Sequence, residues 1–133
     1  MTSAILRGVA DSHALLWFSQ DSPQLSKVLM DAEAGDGIVV SIASLVDLWY
    51  ATQTTQGVTT QQLSELRDLL AATSSIHLHP IDLGVADAYT AISPNVLSDP
   101  WDQFIVATAV TLSVPLVTRD GPIHGCGLIE TIW

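Results

Sequence analysis

Four aspartates stand where metal-assisted chemistry could be done: Asp11, Asp47, Asp102 and Asp120. Asp11 directly follows an apolar run at 5–10, and Asp120 lies two residues beyond another at 114–118. Asp47 sits among Leu45, Val46, Leu48 and Trp49, and Asp102 stands beside Trp101, Phe104 and Ile105. Taken singly, each has an ordinary reading as a turn or helix-cap residue. Ser44-x-x-Asp47 and Asp99-x-x-Asp102 both have the outline of a capping box, although Glu or Gln is the commoner last residue. Taken together they predict something else. Carboxylates crowded within a few ångströms repel one another and must take up protons unless a cation joins them. Magnesium prefers oxygen ligands and commonly binds through a few carboxylates while keeping several waters. An ion so held lowers the pKa of bound water, polarises a phosphoryl oxygen and stabilises a leaving alkoxide. The predicted chemistry is therefore hydrolysis of a phosphodiester by metal-bound water, with no covalent nucleophile.

The elements that must position these acids follow from the pattern of apolar residues. Strands are expected at 5–10, 38–40, 76–79, 114–118 and 128–133, and helices at 13–18, 22–34, 44–53, 59–72, 82–91 and 100–113. Leu25, Leu29 and Ala32 mark the second helix, and Leu63, Leu66, Leu69 and Leu70 line one face of the fourth. The helix at 100–113 is apolar nearly all round and should be deeply buried. Gly35-Asp36-Gly37 reads as a turn and 94–98 as loop. This alternation is that of an α/β domain, a mostly parallel central sheet of about five strands with helices on both faces. No repeat, low-complexity tract or linker interrupts it, so 1–133 is read as one domain. Strand ends and the helices that follow them share one edge of such a sheet, which is the ligand edge. All four acids can meet there.

Bulk properties narrow the class. With 48% hydrophobic and 14% charged residues among 133, a large core is available and disorder is not expected. There is no run long enough for a membrane helix and no signal-like N-terminus. The lone Cys126 permits no intrachain disulfide. A soluble, cytoplasmic protein is expected. Fourteen acids against Arg7, Lys27, Arg67 and Arg119 give a formal charge of −10, which by itself opposes a nucleic-acid partner. Bound divalent ions would weaken that objection, since each adds two positive charges at the site itself. The surplus also suits a basic partner protein, and a mean hydropathy of +0.39 fits a surface partly covered by another chain.

Several segments resemble one family in order and spacing. Asp11-Ser12-His13-Ala14-Leu15-Leu16-Trp17 resembles the Asp-Thr-His-Ala-Leu-Leu-Trp opening of PIN-domain toxins of the VapC type. Ser44-Leu45-Val46-Asp47-Leu48 is similar to the family's Ser-Leu-Trp-Glu-Ile, and Asp99-Pro100-Trp101-Asp102-Gln103 to its Asp-Pro-Phe-Asp-Arg. Leu116-Val117-Thr118-Arg119-Asp120 matches Leu-Val-Thr-x-Asp, and the likeness runs on to Trp133. The resemblance implies a PIN-like fold and magnesium- or manganese-dependent cleavage of RNA, with 5′-phosphate and 3′-hydroxyl products. It also implies a homodimer and inhibition by an antitoxin whose basic segment, carrying an arginine, fills the acidic pocket. Carried over motif by motif, the metal-binding acids are Asp11, Asp47, Asp102 and Asp120. Ser12 and Thr118 become supporting hydroxyls, and Arg119 a phosphate contact. Asp99 is read as the cap before Pro100, with a supporting place behind the metal as its other reading. Asp47 in place of Glu has less reach, Gln103 in place of Arg removes a positive charge near the site, and Ser12 replaces Thr.

Other residues receive plainer readings. His13 is expected to be a hydrogen-bonded packing histidine. His77 and His79 alternate with Ile76 and Leu78, giving one polar sheet face without the further ligands of a zinc site. His124 and Cys126 are placed in a loop, and Trp17, Trp49 and Trp101 in the core or a dimer contact. A receiver domain would need a lysine after its last strand, and a haloacid-type phosphatase an Asp-x-Asp after its first; neither is present. The remaining alternative is a PIN-fold module that holds RNA or an antitoxin but cuts weakly.

Overall fold

The middle of the sheet is made of small and β-branched residues that are buried on both faces, as parallel strands covered by helices require. The computed structural model describes residues 8–19, 37–54, 57–74 and 76–132. In chain order these form β1 (Gly8–Ala10), α1 (Ser12–Ser19), β2 (Ile38–Ser41), α2 (Ile42–Thr52), α3 (Thr60–Ala72) and β3 (Ile76–His79). α4 (Leu83–Thr90), α5 (Pro100–Leu112), β4 (Leu116–Val117), α6 (Gly121–Gly125) and β5 (Thr131–Ile132) follow. The expected helix at 22–34, the strand residues 5–7, the Gly35-Asp36 part of the turn and Trp133 lie outside the described residues.

Every pairing in the sheet is parallel, and the strand order is β3-β2-β1-β4-β5. β1 is central. The chain leaves it toward β2 and β3 on one side, then crosses to β4 and β5 on the other. The direction of winding thus reverses between β1 and β4, which is where an open parallel sheet leaves a crevice at its carboxyl edge. Alternate residues of the same strands enter opposite cores. Ala10, Val40 and Val117 pack with Leu15, Leu48, Leu66 and Leu70 on one face. Val9, Val39 and Leu116 pack with Val85, Ile105, Val106 and Ile123 on the other. Gly8 allows β1 to lie close to β4, since a Cβ there would stand 3.0 Å from the Pro115 carbonyl oxygen.

Caps explain where the helices start. Ser41, the last residue of β2, accepts a hydrogen bond from the Ala43 amide at 3.1 Å, so α2 begins at Ile42 and not near Ser44. Ser44-x-x-Asp47 is consequently no capping box; Asp47 lies in the second turn. α3 does begin with one: the Gln62 amide donates to Thr59 Oγ1 at 3.1 Å and the Thr59 amide to Gln62 Oε1 at 2.9 Å. α5 is as buried as its composition predicts, with Gln103 and the run from Ile105 to Ala109 enclosed. α6 was not expected. Asp120 caps it and Pro122 occupies its first turn, a start signal that the surrounding glycines conceal. β3 also departs from expectation: Leu78 is 48% exposed while His79 is half-buried, so the strand does not split into one polar and one apolar face.

Candidate active site

The carboxyl ends of β1 and β4 lie side by side, and the residues that follow them are tied together. The Asp11 amide donates to the Val117 carbonyl at 3.1 Å. Its carboxylate accepts from the Ala14 amide through Oδ1 at 2.7 Å and from the Thr118 hydroxyl through Oδ2. Thr118 Oγ1 in turn accepts from the Asp120 amide at 3.0 Å. Asp11 and Thr118 are both buried. Asp120 accepts from the Ile123 amide at 3.0 Å, so the cap reading of this residue and its place at the site hold together.

α2 and α5 bring the other two acids. Ser12, at the start of α1, donates to Asp47 Oδ2 at 2.7 Å. Asp99 caps α5, accepting from the Trp101 and Asp102 amides at 2.9 and 3.2 Å, with Pro100 in the first turn. Asp102 is left facing inward. Asp11, Asp47, Asp99, Asp102 and Asp120 all line one cavity of about 160 Å³. All four sequence-derived acids are therefore brought together, and Asp99 is both the cap and a wall of the cavity.

The electrostatics record the crowding. Burial, followed by the charges of Asp99, Asp120, Asp47 and Asp11, pushes the Asp102 carboxyl up to about 7. Asp11 is raised chiefly by burial, against the opposing hydrogen bonds from Thr118 and Ala14. Burial also raises Asp47, partly offset by the Ser12 hydroxyl. Such a donor set fits a hard divalent cation. Among the described residues, though, no group of three acid, histidine or cysteine side chains is gathered tightly enough to hold an ion by itself. An ion would accordingly rest on one or two carboxylates with water completing its shell, which is the usual habit of magnesium.

Several residues lie elsewhere than expected. His13 is exposed and lines the same cavity, so it is not a packing histidine. The signal was available: in α1 its neighbours Ser12 and Ala14 face inward, which turns position 13 outward. Gln103 is buried and donates to the Leu97 carbonyl at 2.5 Å, outside the cavity lining. Trp49 is 47% exposed and thus not a core residue. Trp101 is half-buried between Tyr50 and Phe104, at ring-centroid distances of 5.6 and 6.3 Å. The side chain of Trp17 lies outside the described residues. His124 stands in α6, close to Thr118 O at 2.8 Å and to Thr131 Oγ1 at 2.7 Å.

A five-stranded parallel sheet with its acids at the β1–β4 crevice defines a class, and the family comparison agrees. The chain belongs to the PIN domain family, whose model matches residues 9–124. Among individual proteins it is 31% identical over 122 residues to Ribonuclease VapC22 of Mycobacterium tuberculosis, covering 90% of this chain and 88% of that one. Its fold is shared with VapBC2 from Rickettsia felis, solved bound to a DNA fragment from the promoter, at a TM-score of 0.72 and 15% identity. That match covers 93% of this chain and 96% of the other. A toxin–antitoxin complex from Klebsiella pneumoniae is similar at a TM-score of 0.69 and 16% identity, covering 95% and 96%.

Proposed function

We propose that this protein is a magnesium- or manganese-dependent endoribonuclease, the toxin of a toxin–antitoxin pair, with Asp11, Asp47, Asp102 and Asp120 as its metal-binding acids. The observation that carries the reading is their convergence on one cavity at the crevice between β1 and β4. The 31% identity to a protein named a ribonuclease supports the substrate class. A divalent ion bound here supplies charge neutralisation and activates water toward the phosphodiester.

The chain's own residues prepare for it. Thr118 and the Ala14 amide hold both oxygens of Asp11, so this carboxylate is presented in one orientation. Ser12 takes one oxygen of Asp47, leaving the other as the one that would help hold an ion. With its carboxyl pushed up to about 7, Asp102 would hold an ion in competition with a proton. Arg119, beside Asp120, supplies positive charge for the RNA.

A basic segment of the antitoxin, placing an arginine among these acids, would occupy the same cavity. A second copy of the chain would cover the apolar stripe of α2 formed by Val46, Trp49 and Tyr50, which are 37%, 47% and 50% exposed. Incubation of total RNA with the protein and magnesium tests the central reading. Discrete cleavage is expected, abolished by chelator and by Asp11→Asn. RNA bound but left intact would instead support the non-cutting module.

A further inference from the structure

Among the described residues, Arg119 brings a positive charge to this edge without lining the acid cavity itself. It lines a second, more open hollow of about 220 Å³, together with Asp11, His13 and Asp120. The two hollows share Asp11, His13 and Asp120 as their common wall. We propose that the second hollow is a subsite for an RNA phosphate adjacent to the scissile one, gripped by the Arg119 guanidinium and a His13 ring N–H. This inference rests on the ribonuclease reading above.

Both donors are carried on backbone that is already held. Arg119 stands between Thr118, whose amide donates to the Ile132 carbonyl at 3.1 Å, and Asp120, whose amide donates to Thr118 Oγ1 at 3.0 Å. His13 stands between Ser12, bonded to Asp47, and Ala14, bonded to Asp11. Both side chains are exposed while the residues that fasten them are engaged with the acids. The backbone that carries both donors is thus fixed before the substrate arrives.

The same wall makes the subsite conditional. Asp11 and Asp120 would repel a phosphate on their own, so the hollow accepts one only when the neighbouring carboxylates are neutralised by a divalent ion. It is therefore a site for a phosphate in a chain that already reaches the metal, not for a free anion. With so few basic residues, one such contact is a large part of the electrostatic grip available.

The test uses an oligoribonucleotide copied from a bond that the wild-type protein cuts, with magnesium present. Versions are made with a neutral methylphosphonate in place of the phosphate on either side of that bond. For one of the two sides, wild-type KM is expected to rise about tenfold with little change in kcat. Arg119→Gln should raise KM about tenfold on the unmodified oligonucleotide, and then lose nothing further to that methylphosphonate. His13→Asn should show a smaller version of the same pattern, and Arg119→Lys a partial rescue. The slope of log KM against log salt should fall by about one in Arg119→Gln. Losses from the variant and the methylphosphonate that multiply, or an unchanged KM in Arg119→Gln, would overturn the subsite while leaving the nuclease intact. Cleavage of the oligonucleotide by Asp11→Asn at the wild-type rate removes the nuclease reading and the subsite with it.

Discussion

The hydroxyl of Thr118 donates to the carboxylate of Asp11, joining two residues 107 positions apart in the chain. The bond lies in the buried seam between β1 and β4 and, with the Ala14 amide on the other oxygen, fixes how the Asp11 carboxylate is turned. Thr118→Val keeps the shape and removes the donor. A hydrogen bond to a charged group contributes about 1.5–3 kcal/mol. Thermal unfolding of Thr118→Val is therefore expected about 5–10 °C below wild type, and its half-saturating magnesium concentration should rise. Thr118→Ser should restore most of both. An unchanged melting temperature in the valine variant would contradict this account.

The acid cavity makes stability depend on pH in a definite direction. Asp102 binds its proton more tightly folded, with a pKa near 7, than unfolded, where the value is 3.8. Its contribution is fully present below the unfolded value and is lost as pH rises through the folded one. In chelator, the melting temperature should fall as pH rises from about 4 to about 7, and the shifts at Asp11 and Asp47 act in the same sense. Saturating magnesium should flatten that fall, because the ion favours the ionised form. Calorimetry with and without the metal measures both slopes, and parallel slopes would rule out metal binding at these acids.

Asp102→Asn separates stability from activity. The amide removes a charge that its neighbours oppose, so the metal-free protein should melt higher than wild type at about pH 8, by a few degrees. RNA cleavage should drop at least about a hundredfold, and the stabilisation of the fold by manganese should shrink. A variant that cuts normally would remove Asp102 from the metal site.

Much of this site was legible in the sequence because its positions depend on local rules. An acid that directly follows a parallel strand must emerge at the carboxyl edge, which placed Asp11. Pro100 after an aspartate marks a helix start, which placed Asp99 and Asp102. What the pattern hid was set by tertiary contacts. Ser41 took the cap of α2 although Ser44 offered the more familiar spacing, because the strand ends directly at the helix. The side-chain amide of Gln103 turns to the Leu97 carbonyl, a partner six residues away that no periodicity announces. α6 is a single short turn whose glycines read as loop.

Ser113 offers a test of the fold that leaves the site alone. It closes α5 in the left-handed region at φ 55°, where a side chain other than glycine costs about 1–2 kcal/mol. Because Ser113 is exposed, Ser113→Gly should stabilise the protein by about 0.5–1 kcal/mol, with cleavage unchanged. A lower melting temperature would show that this cap is held by something other than backbone conformation.

The strand order β3-β2-β1-β4-β5 places β1, made early, against β4, which is made after α5. A nascent chain that has reached α5 already carries Asp11, Asp47 and Asp102, yet it has no Thr118 to orient the first of them and no Asp120 to complete the wall. On the proposed function, copies that stop or are clipped before β4 would leave RNA uncut. In the proposed toxin, an antitoxin would then have only finished molecules to restrain.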